Sequence, residues 1–268
     1  MKVVLFCGGL GLRMREESTR LPKPMIPLGD RPILWHIMKY YSDFGFRDFV
    51  LCLGYKPEIL KEYFLNYNEA LSNDFVLADG GRSVQLLGSD THDWSMTFVD
   101  TGLHSTIGER LKRIEPYIGA DEHFLANYGD VLTDAPLGEM VEALVGSGKT
   151  ALFLCVHPTY QFHVVSLTDA HGVRDIRDVG DANLWINGGY FVFRREIFDY
   201  LQPGDDLVGD AFNRLIGEDK LMAFPYEGFW APMDTLKDKQ MLENLLESGD
   251  PPWTNPRGVG APGGASSG

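Results

Sequence analysis

The sequence predicts an α/β fold, in which a mostly parallel sheet is covered by helices on both faces. Three observations support this prediction. Short apolar runs alternate with segments of helical periodicity from residue 2 to residue 156, and the links between them are short. Several of the apolar runs are uninterrupted, as is typical of parallel strands buried on both faces. Hydrophobic residues make up 44% of the 268 residues, which is enough for a large core.

The elements of the first half follow from these patterns in order. A strand is expected at residues 2–7, where the apolar run KVVLFC ends in glycines. A helix is expected at 31–44, because its apolar residues recur at helical spacing and Pro32 suits the first turn. The remaining elements predicted for this half are strands at 48–54, 95–100, 122–127 and 150–156, and helices at 57–66, 108–118 and 137–146.

The second half has a less regular pattern. Residues 164–169 and 186–194 are expected to be strands that can pair antiparallel. The last 20 residues contain six glycines and four prolines without apolar periodicity, so we expect a disordered tail at 254–268. Helices are expected at 195–201, 208–216 and 235–248.

The charge distribution excludes some partners and suggests another. The formal charge of −14 argues against nonspecific binding to nucleic acid or to a membrane surface, because both are anionic. Residues 1–40, however, carry seven basic and three acidic side chains, a net charge of +4. A basic N-terminal segment on an acidic protein suggests that a small anionic ligand is held locally.

The cysteines and the N-terminus bear on the compartment. Cys7, Cys52 and Cys155 each lie in an apolar, strand-like run and are expected to be buried, reduced thiols. The N-terminal apolar run is about five residues long, which is too short for a secretion signal. No apolar run approaches the roughly 18 residues of a membrane span. We therefore expect a cytoplasmic protein.

Residues 7–25, CGGLGLRMREESTRLPKPM, form the most informative stretch. The first predicted strand ends in Gly8, Gly9 and Gly11, whose backbone N–H groups can approach phosphate oxygens without interference from a Cβ atom. Met14 stands where a dinucleotide-binding loop needs its third glycine, and no Gly-Lys-Ser/Thr follows, so neither that fingerprint nor a Walker A loop is present. The alternative to a phosphate-binding role is that this glycine-rich turn is purely structural.

Two cations distinguish this loop. Arg13 lies two residues after Gly11, and Lys23 lies between Pro22 and Pro24. A guanidinium can bind phosphate oxygens through two parallel hydrogen bonds, and a lysine held by prolines can reach an α-phosphate as a positioned point charge. The pair suits a nucleoside triphosphate, and the alternative for Lys23 is a solvated loop lysine.

The stretch GGLGLRM…PKPM, followed by LGDRPILWHIMKYYSDFGFRDFVLCLGY, resembles the sugar-1-phosphate nucleotidyltransferases, and within them the cytidylyltransferases. We therefore expect a Rossmann-like nucleotide-binding core at 1–157 and a smaller β-rich and helical portion at 158–253 that binds the acceptor and completes the metal site. The likeness covers about residues 1–253 and continues at VDTG (99–102), ERLKRI (109–114), YGDVL (128–132), INGGYFV (186–192) and GFWAPMDTLKDK (228–239).

The resemblance implies a Mg²⁺-dependent reaction in which a sugar 1-phosphate attacks the α-phosphate of CTP in line, giving a CDP-sugar and pyrophosphate. It implies that Lys23 stabilises the α-phosphate and that Arg13 grips the β- and γ-phosphates. Asp130, which is also implied to be catalytic, and Asp234 would be the Mg²⁺ ligands. Asp130 follows a strand at the edge where open α/β sheets bind ligands. The alternative is a capping role, with Asp234 as the N-cap of the next helix.

The resemblance also implies binding residues for both substrates. The alternatives are an ordinary exposed helix arginine for Arg110 and a core aromatic for Trp230. The implied nucleotide-binding residues are Gly8, Gly9, Gly11, Arg13, Arg110 and Gly129, and the implied sugar-binding residues are Asn187, Gly188 and Trp230.

The sequence departs from the family pattern mainly on the base and acceptor sides. Leu12 stands where the family usually has threonine, and residues 107–110 read Ile-Gly-Glu-Arg in place of Thr-Gly-Gly-Arg. The family's lysine for the sugar phosphate is absent before the INGG block, where Arg177 or Arg174 could supply a cation. Residues 208–212 replace the family's Trp-Glu-x-Glu-Pro-Leu. We therefore expect nucleotidyl transfer with an altered acceptor, an altered base preference, or both.

Three alternatives stay open at this stage. The first keeps the chemistry with UTP, dTTP, GTP or ATP and a modified sugar or polyol phosphate. The second is a noncatalytic homologue that binds a nucleotide sugar, suggested by the missing lysine. The third, a metal-dependent glycosyltransferase, is disfavoured because Asp130 and Asp134 do not form a D-x-D pair. The resemblance also implies a homo-oligomer, with its contact region in the 160s to 220s.

Overall fold

The computed structural model describes residues 1–9, 21–159 and 162–254. Three residues of the glycine-rich loop that carry sequence-based expectations, Gly11, Leu12 and Arg13, lie outside these ranges. Of the predicted tail, Thr254 alone is described, at the end of the 3₁₀-helix Pro252–Thr254.

Seven strands of the described chain form the central sheet. In chain order they are β1 (Lys2–Phe6), β2 (Asp48–Leu53), β3 (Ser95–Asp100), β4 (His123–Asn127), β5 (Ala151–Val156), β6 (Ile186–Arg194) and β7 (Leu221–Tyr226). Their spatial order is β7-β5-β6-β4-β1-β2-β3. β6 pairs antiparallel with both neighbours and the other pairs are parallel. The predicted α/β class is confirmed, as is the antiparallel strand at 186–194.

The predicted helices are present, with differences at three places. The helix expected at 108–118 is divided, because Pro116 lacks the N–H that a continuous helix needs at that position. The segment expected at 195–201 is a 3₁₀-helix, Arg195–Tyr200, and the helix expected at 208–216 begins as a π-helix, Leu207–Ala211. No helix in the described ranges is long and apolar enough to cross a membrane. The α-helices are α1 (Ile33–Asp43), α2 (Pro57–Leu65), α3 (Ile107–Arg113), α4 (Glu115–Ile118), α5 (Leu137–Ser147), α6 (Phe212–Gly217) and α7 (Leu236–Glu247).

The core lies on both faces of the sheet. Consecutive side chains of a strand point to opposite faces, so Val3 and Leu5 of β1 pack on one side and Val4 and Phe6 on the other. The first face is covered by α1, α2, α5 and α7, and the second by α3, α4 and α6. Each fully buried side chain of this size stabilises the fold by about 1.5–3 kcal/mol before entropy is counted. The prediction of helices on both faces is confirmed.

Three short antiparallel pairs, one strand of a fourth pair and one strand of the central sheet were absent from the sequence-based prediction. Two of these pairs are Pro27–Leu28 with Arg31–Pro32 and Val131–Thr133 with Trp230–Pro232. β7 has the pattern LMAFPY, whose proline is tolerated because β7 is an edge strand. Phe75–Ala78 pairs with Ser83–Leu86 across a turn in which Asp79 and Gly80 have positive φ, a conformation that favours such residues. The predicted strand at 164–169 is His163–Leu167, and it pairs with Val173–Asp178.

The cysteines and the predicted portions can be placed on this fold. Cys7, Cys52 and Cys155 are buried free thiols, as expected. β6 and β7 follow residue 157 but belong to the same sheet as the earlier strands. The functional division at residue 157 stays a prediction.

Candidate functional site

A cavity of about 620 Å³ lies at the carboxyl ends of β1, β3 and β4. Ligands bind at this edge in open α/β sheets, so its position is the one expected from the topology. The cavity is lined by Phe6, Gly8, Gly9, Lys23, Pro24, residues 103–107, Arg110, Tyr128, Asp130 and Asp206.

Lys23 is held inside the site. It begins a 3₁₀-helix, Lys23–Met25, with Pro22 at the N-cap and Pro24 in the first turn. Its Nζ donates to Asp130 Oδ2 at 2.6 Å and to Asp234 Oδ1 at 2.5 Å, and its side chain is only 13% exposed. The alternative of a solvated loop lysine is therefore wrong.

The two aspartates converge because a short ladder joins their segments. Val131–Thr133 pairs antiparallel with Trp230–Pro232, and Val131 lies opposite Pro232. The Met233 N–H donates to the backbone oxygen of Asp130 at 2.9 Å. Asp130 and Asp234 flank the same end of this ladder. The ladder therefore brings together two carboxylates that are 104 positions apart in the sequence.

Thr235, rather than Asp234, caps α7. The Thr235 hydroxyl accepts from Asp238 N at 3.2 Å, and Asp238 Oδ2 accepts from Thr235 N at 2.8 Å, which completes a capping box. Asp238 Oδ2 also accepts from Asp234 N at 3.1 Å. The alternative of Asp234 as the N-cap is therefore wrong, and its carboxylate is directed to Lys23.

Lys23, Asp130 and Asp234 form a cluster of charged groups that is partly shielded from water. Burial raises the pKa of the Asp130 carboxyl, and Asp234 raises it further, while Lys23 opposes both. Burial alone would lower the pKa of Lys23, but the charges and hydrogen bonds of Asp130 and Asp234 outweigh it, so the pKa of Lys23 is raised. With all three groups ionised, the cluster has a net charge of −1 and can accept a further cation.

Arg110 and the glycines form the floor of the cavity. Arg110 is 3% exposed, so the alternative of an exposed helix arginine is wrong. Its guanidinium donates to the backbone oxygen of Gly8 at 3.2 Å. Among the described residues, no heavy atom lies within 4 Å of the position that a Cβ atom of Gly9 would take, so this side of Gly9 is open with respect to them. Gly129 has φ of +79°, and a Cβ atom there would lie 3.1 Å from the backbone oxygen of Phe6.

The three predicted sugar-binding residues lie together, since Asn187 and Gly188 are consecutive and Trp230 is hydrogen-bonded to Gly188. Asn187 Nδ2 donates to the hydroxyl of Tyr128 at 3.2 Å, and Trp230 Nε1 donates to the backbone oxygen of Gly188 at 2.8 Å. Burial raises the pKa of Tyr128 to about 12, so its hydroxyl keeps its proton. Trp230 is 8% exposed and packs in the core. It also lines a second cavity of about 350 Å³, together with His157, Tyr226 and Glu227.

Asp134 supports the site and was not singled out as functional from the sequence. It is 6% exposed, and its Oδ1 accepts from Tyr226 Oη at 2.5 Å and from Phe229 N at 2.7 Å. These bonds fix the turn that leads into Trp230–Pro232 and so into Asp234. The available signal was an aspartate directly after a short apolar strand.

Other lining residues were also missed. Residues 103–107 follow β3, and the helix they enter begins with a capping box between Thr106 and Glu109. Asp206 lies at the cavity and caps the π-helix, since its Oδ2 accepts from Val208 N and Gly209 N at 3.0 Å each. π-Helices are rare and are frequent near functional sites. For residues 103–107, the available sequence signal was their position directly after a predicted strand. No sequence signal marked the π-helix.

The candidate substitutes for the missing lysine lie away from the main cavity. Arg177 belongs to Val173–Asp178, and its guanidinium contacts Asp175 Oδ2 at 2.5 and 2.7 Å. Arg174 is an exposed residue of the same strand. Neither residue lines the cavities described above.

Comparisons with known proteins give a family match and several similar proteins. The nucleotidyl transferase family model matches residues 2–240. The glucose-1-phosphate cytidylyltransferases of Salmonella typhi and Salmonella typhimurium are each 40% identical over 257 residues, which is 94% of this chain and 98% of theirs. The UTP-bound UGPase of Acinetobacter baumannii has a TM-score of 0.68 at 19% identity, covering 93% of this chain and 94% of its own. The resemblance noted in the sequence is confirmed.

Proposed function

The chain belongs to the nucleotidyl transferase family, and on that premise we propose that it joins a sugar 1-phosphate to CTP, giving a CDP-sugar and pyrophosphate. An oxygen of the sugar phosphate forms a bond to the α-phosphorus. The bond from that phosphorus to the oxygen bridging to the β-phosphate breaks, and its electron pair leaves with pyrophosphate. The observation that carries the proposal is the convergence of Lys23, Asp130 and Asp234 beside a cavity at the carboxyl edge of the sheet.

The charges of the two substrates explain why such a cluster is needed. Both substrates are anionic, and catalysis of phosphoryl and nucleotidyl transfer consists mostly of positioning and of neutralising charge. Lys23 would hold the α-phosphate and stabilise the negative charge that develops there. Arg13, which lies outside the described residues, would grip the β- and γ-phosphates, and Gly9 would offer its open backbone to the nucleotide.

The carboxylates fit a Mg²⁺ ion. Asp130 and Asp234 both reach one ammonium nitrogen, so their oxygens already converge on a single cation. In the described ranges no group of three or more His, Cys, Asp or Glu side chains converges as a metal site, which suits an ion that takes few protein ligands and keeps phosphate and water oxygens. Bound there, Mg²⁺ would neutralise triphosphate charge.

The acceptor would lie on the side of Asn187, Gly188 and Trp230. This group connects Tyr128, which lines the main cavity, with Trp230, which lines the second one. The phenolic proton of Tyr128 is free to donate, since Asn187 donates to its oxygen. Hydroxyl groups of a sugar suit such a mixture of amide, phenol and aromatic surface.

A pyrophosphate-release assay with CTP, UTP, dTTP, GTP and ATP against a mixture of sugar phosphates tests the proposal. We expect Mg²⁺-dependent release with CTP, lost by at least about 100-fold in Lys23→Ala and Asp130→Ala. Release with another triphosphate only would keep the chemistry and change the base.

Absence of release with every pair, despite nucleotide binding, would favour the noncatalytic homologue suggested by the missing lysine. Lys149→Ala is a matched control, because this lysine pairs with Asp219 at the surface. It should retain the activity of the wild type. Equal losses in Lys149→Ala and Lys23→Ala would contradict the role given to Lys23.

A further inference from the structure

Asn127 carries a fully buried amide group three residues before Asp130. It is the last residue of β4 and is 0% exposed. Its Oδ1 accepts from the backbone N–H of Gly129 at 2.6 Å. Gly129 is itself buried and lies past the end of the strand, so its N–H takes its acceptor from this side chain rather than from a neighbouring strand. The side chain of Asn127 therefore closes the turn that leads from β4 to Asp130.

The residue that follows Asp130 is held as well. The Tyr190 hydroxyl donates to the backbone oxygen of Val131 at 2.7 Å. Tyr190 is fully buried in β6 and stacks on Tyr41, with ring centroids 5.9 Å apart. Asp130 thus lies between two backbone groups that buried side chains fix, and its carboxylate is directed to Lys23 at 2.6 Å.

The orientation of the Asn127 amide follows from its neighbours. A backbone N–H can only donate, so the atom that faces Gly129 is the carbonyl oxygen and the amide nitrogen points away from it. The amide also faces the hydroxyls of Tyr41 and Tyr190. Burial raises the pKa of both phenols, and the Asn127 amide opposes that rise. An apolar side chain of similar size would fill this space but leave the buried Gly129 N–H without its acceptor.

We propose that Asn127 is a positioning residue for nucleotidyl transfer, which sets the direction of the Asp130 carboxylate by closing the turn at Gly129. Asn127 is fully buried and is not among the residues that line the main cavity, so it acts through Asp130 rather than on a substrate. The part concerning the reaction rests on the proposed function. The contact that directs Asp130 to Lys23 does not.

Asn127→Thr and Asn127→Val form a matched pair of variants, because threonine and valine have nearly the same shape and differ in one hydroxyl. A threonine hydroxyl can accept from the N–H two residues further on, as the asparagine oxygen does, and valine cannot. Without nucleotide, Mn²⁺ affinity measured by electron paramagnetic resonance should fall about tenfold in Asn127→Val and stay within about threefold of the wild type in Asn127→Thr. Equal affinities in the two variants would overturn the proposal.

Turnover and a distant variant separate positioning from general destabilisation. Asn127→Val should lower kcat at least about tenfold, and Asn127→Thr should restore most of it. The control is Thr150→Val, which removes the hydroxyl of a fully buried threonine that donates to Glu196 Oε2 at 3.2 Å. Thr150 directly precedes β5, which runs parallel to β4, so it lies at the edge of the sheet opposite to the cavity.

Thr150→Val should lower the melting temperature without changing kcat or Mn²⁺ affinity. Losses as large as those of Asn127→Val would mean that general destabilisation is the cause, which contradicts the proposal. Should Asn127→Val not fold, Asn127→Ser and Asn127→Ala make the same comparison with smaller side chains, since serine keeps the acceptor and alanine does not.

A double-mutant cycle in thermal unfolding tests the positioning without metal or substrate. Lys23 and Asp130 form an ion pair at 2.6 Å, so the effects of Lys23→Met and Asp130→Asn on the melting temperature should not be additive. This coupling should persist in Asn127→Thr and fall by at least half in Asn127→Val. The same coupling in both backgrounds would refute the proposal. Should the enzyme release no pyrophosphate with any substrate pair, the proposed function fails, while this cycle still decides whether Asn127 positions Asp130.

Discussion

At the scale of single residues, Lys23 occupies the point where a divalent cation would bind. Its ammonium group bridges Asp130 and Asp234 and offsets part of their repulsion. A cation that binds both carboxylates must replace the ammonium there, which frees Lys23 for an anionic ligand. Under the proposed function, the lysine would therefore compete with the metal before substrate binds and would act together with it on the bound triphosphate.

Replacing Lys23 should therefore have opposite effects on metal binding and on turnover. We expect Lys23→Met, without nucleotide, to bind Mn²⁺ several-fold more tightly than the wild type, because the competing ammonium is gone and the two carboxylates face each other. The fraction of free Mn²⁺ measured by electron paramagnetic resonance reports this affinity, and kcat should fall by at least about 100-fold. Unchanged or weaker Mn²⁺ binding would refute the competition, and Lys149→Met serves as the control for a lost surface charge.

Two variants in segment 234–238 separate the role of Asp234 in the reaction from the capping of helix α7. Asp234→Asn removes a charge that faces Lys23 but leaves the capping box of Thr235 and Asp238 intact. It should abolish most of the turnover with little change in the free energy of unfolding. Asp238→Ala should do the reverse, costing about 1 kcal/mol of stability while kcat stays within about threefold. Chemical denaturation and pyrophosphate release measure both, and a turnover that survives Asp234→Asn would exclude a metal-binding role.

At the scale of elements, the sequence predicted the parts whose signal is local. The uninterrupted apolar runs of β1, β2 and β5 mark strands buried on both faces, and all three are present. β7 was missed because it is a half-exposed edge strand that contains Pro225. Pro116, which is visible in the sequence, divides the helix predicted at 108–118 into α3 and α4.

The candidate site depended on information of a different kind. Lys23, Asp130 and Asp234 are remote in sequence, so only the resemblance could place them together, and the short ladder at 131–133 and 230–232 is what brings the aspartates to one point. The bonds of Arg110 go mostly to backbone oxygens, which leave no trace in residue type.

Helix α1 carries a buried histidine that should make the fold sensitive to acid. His36 is 7% exposed, and its Nε2 lies 2.9 Å from the backbone oxygen of Leu28, to which the neutral ring donates. Burial lowers the pKa of His36, and Arg31 lowers it further. The folded state therefore binds this proton less readily than the unfolded state, whose histidine titrates near 6.5. Stability is lost as pH falls below about 6.5.

His36→Gln should remove this part of the acid sensitivity, since glutamine can donate to Leu28 but does not titrate. Melting temperatures at pH 7.5 and pH 5 should differ more in the wild type than in His36→Gln. Other titrating groups are shared by both proteins and cancel in the comparison. Parallel pH profiles would mean that His36 is not the responsible group, and a variant that is merely less stable at both pH values would point to packing instead.

At the scale of the whole molecule, segments from both ends of the chain meet at one edge of the sheet. Gly9, Lys23, residues 103–107 and Asp130 line one cavity, and Asp234 reaches it through Lys23. A ligand bound there contacts elements that are separate in the chain, so it should stabilise the fold as a unit. The homo-oligomer expected from the sequence stays a prediction, which a measurement of the molecular mass in solution can test.

The net charge of the site predicts that nucleotide and metal stabilise the fold synergistically. Lys23, Asp130 and Asp234 together carry −1, so a triphosphate alone is partly repelled, and Mg²⁺ alone must displace the ammonium of Lys23. A ligand at 100 times its Kd adds about 2.7 kcal/mol. For a chain of this size that corresponds to a rise of roughly 5–10 °C in melting temperature. We expect such a rise with CTP and Mg²⁺ together, and one larger than the sum of their separate effects.

Asp130→Asn should retain the response to CTP alone and lose the synergy. If the synergy persists in that variant, the metal is bound elsewhere, and if UTP or dTTP gives the larger rise, the base preference differs from the one proposed.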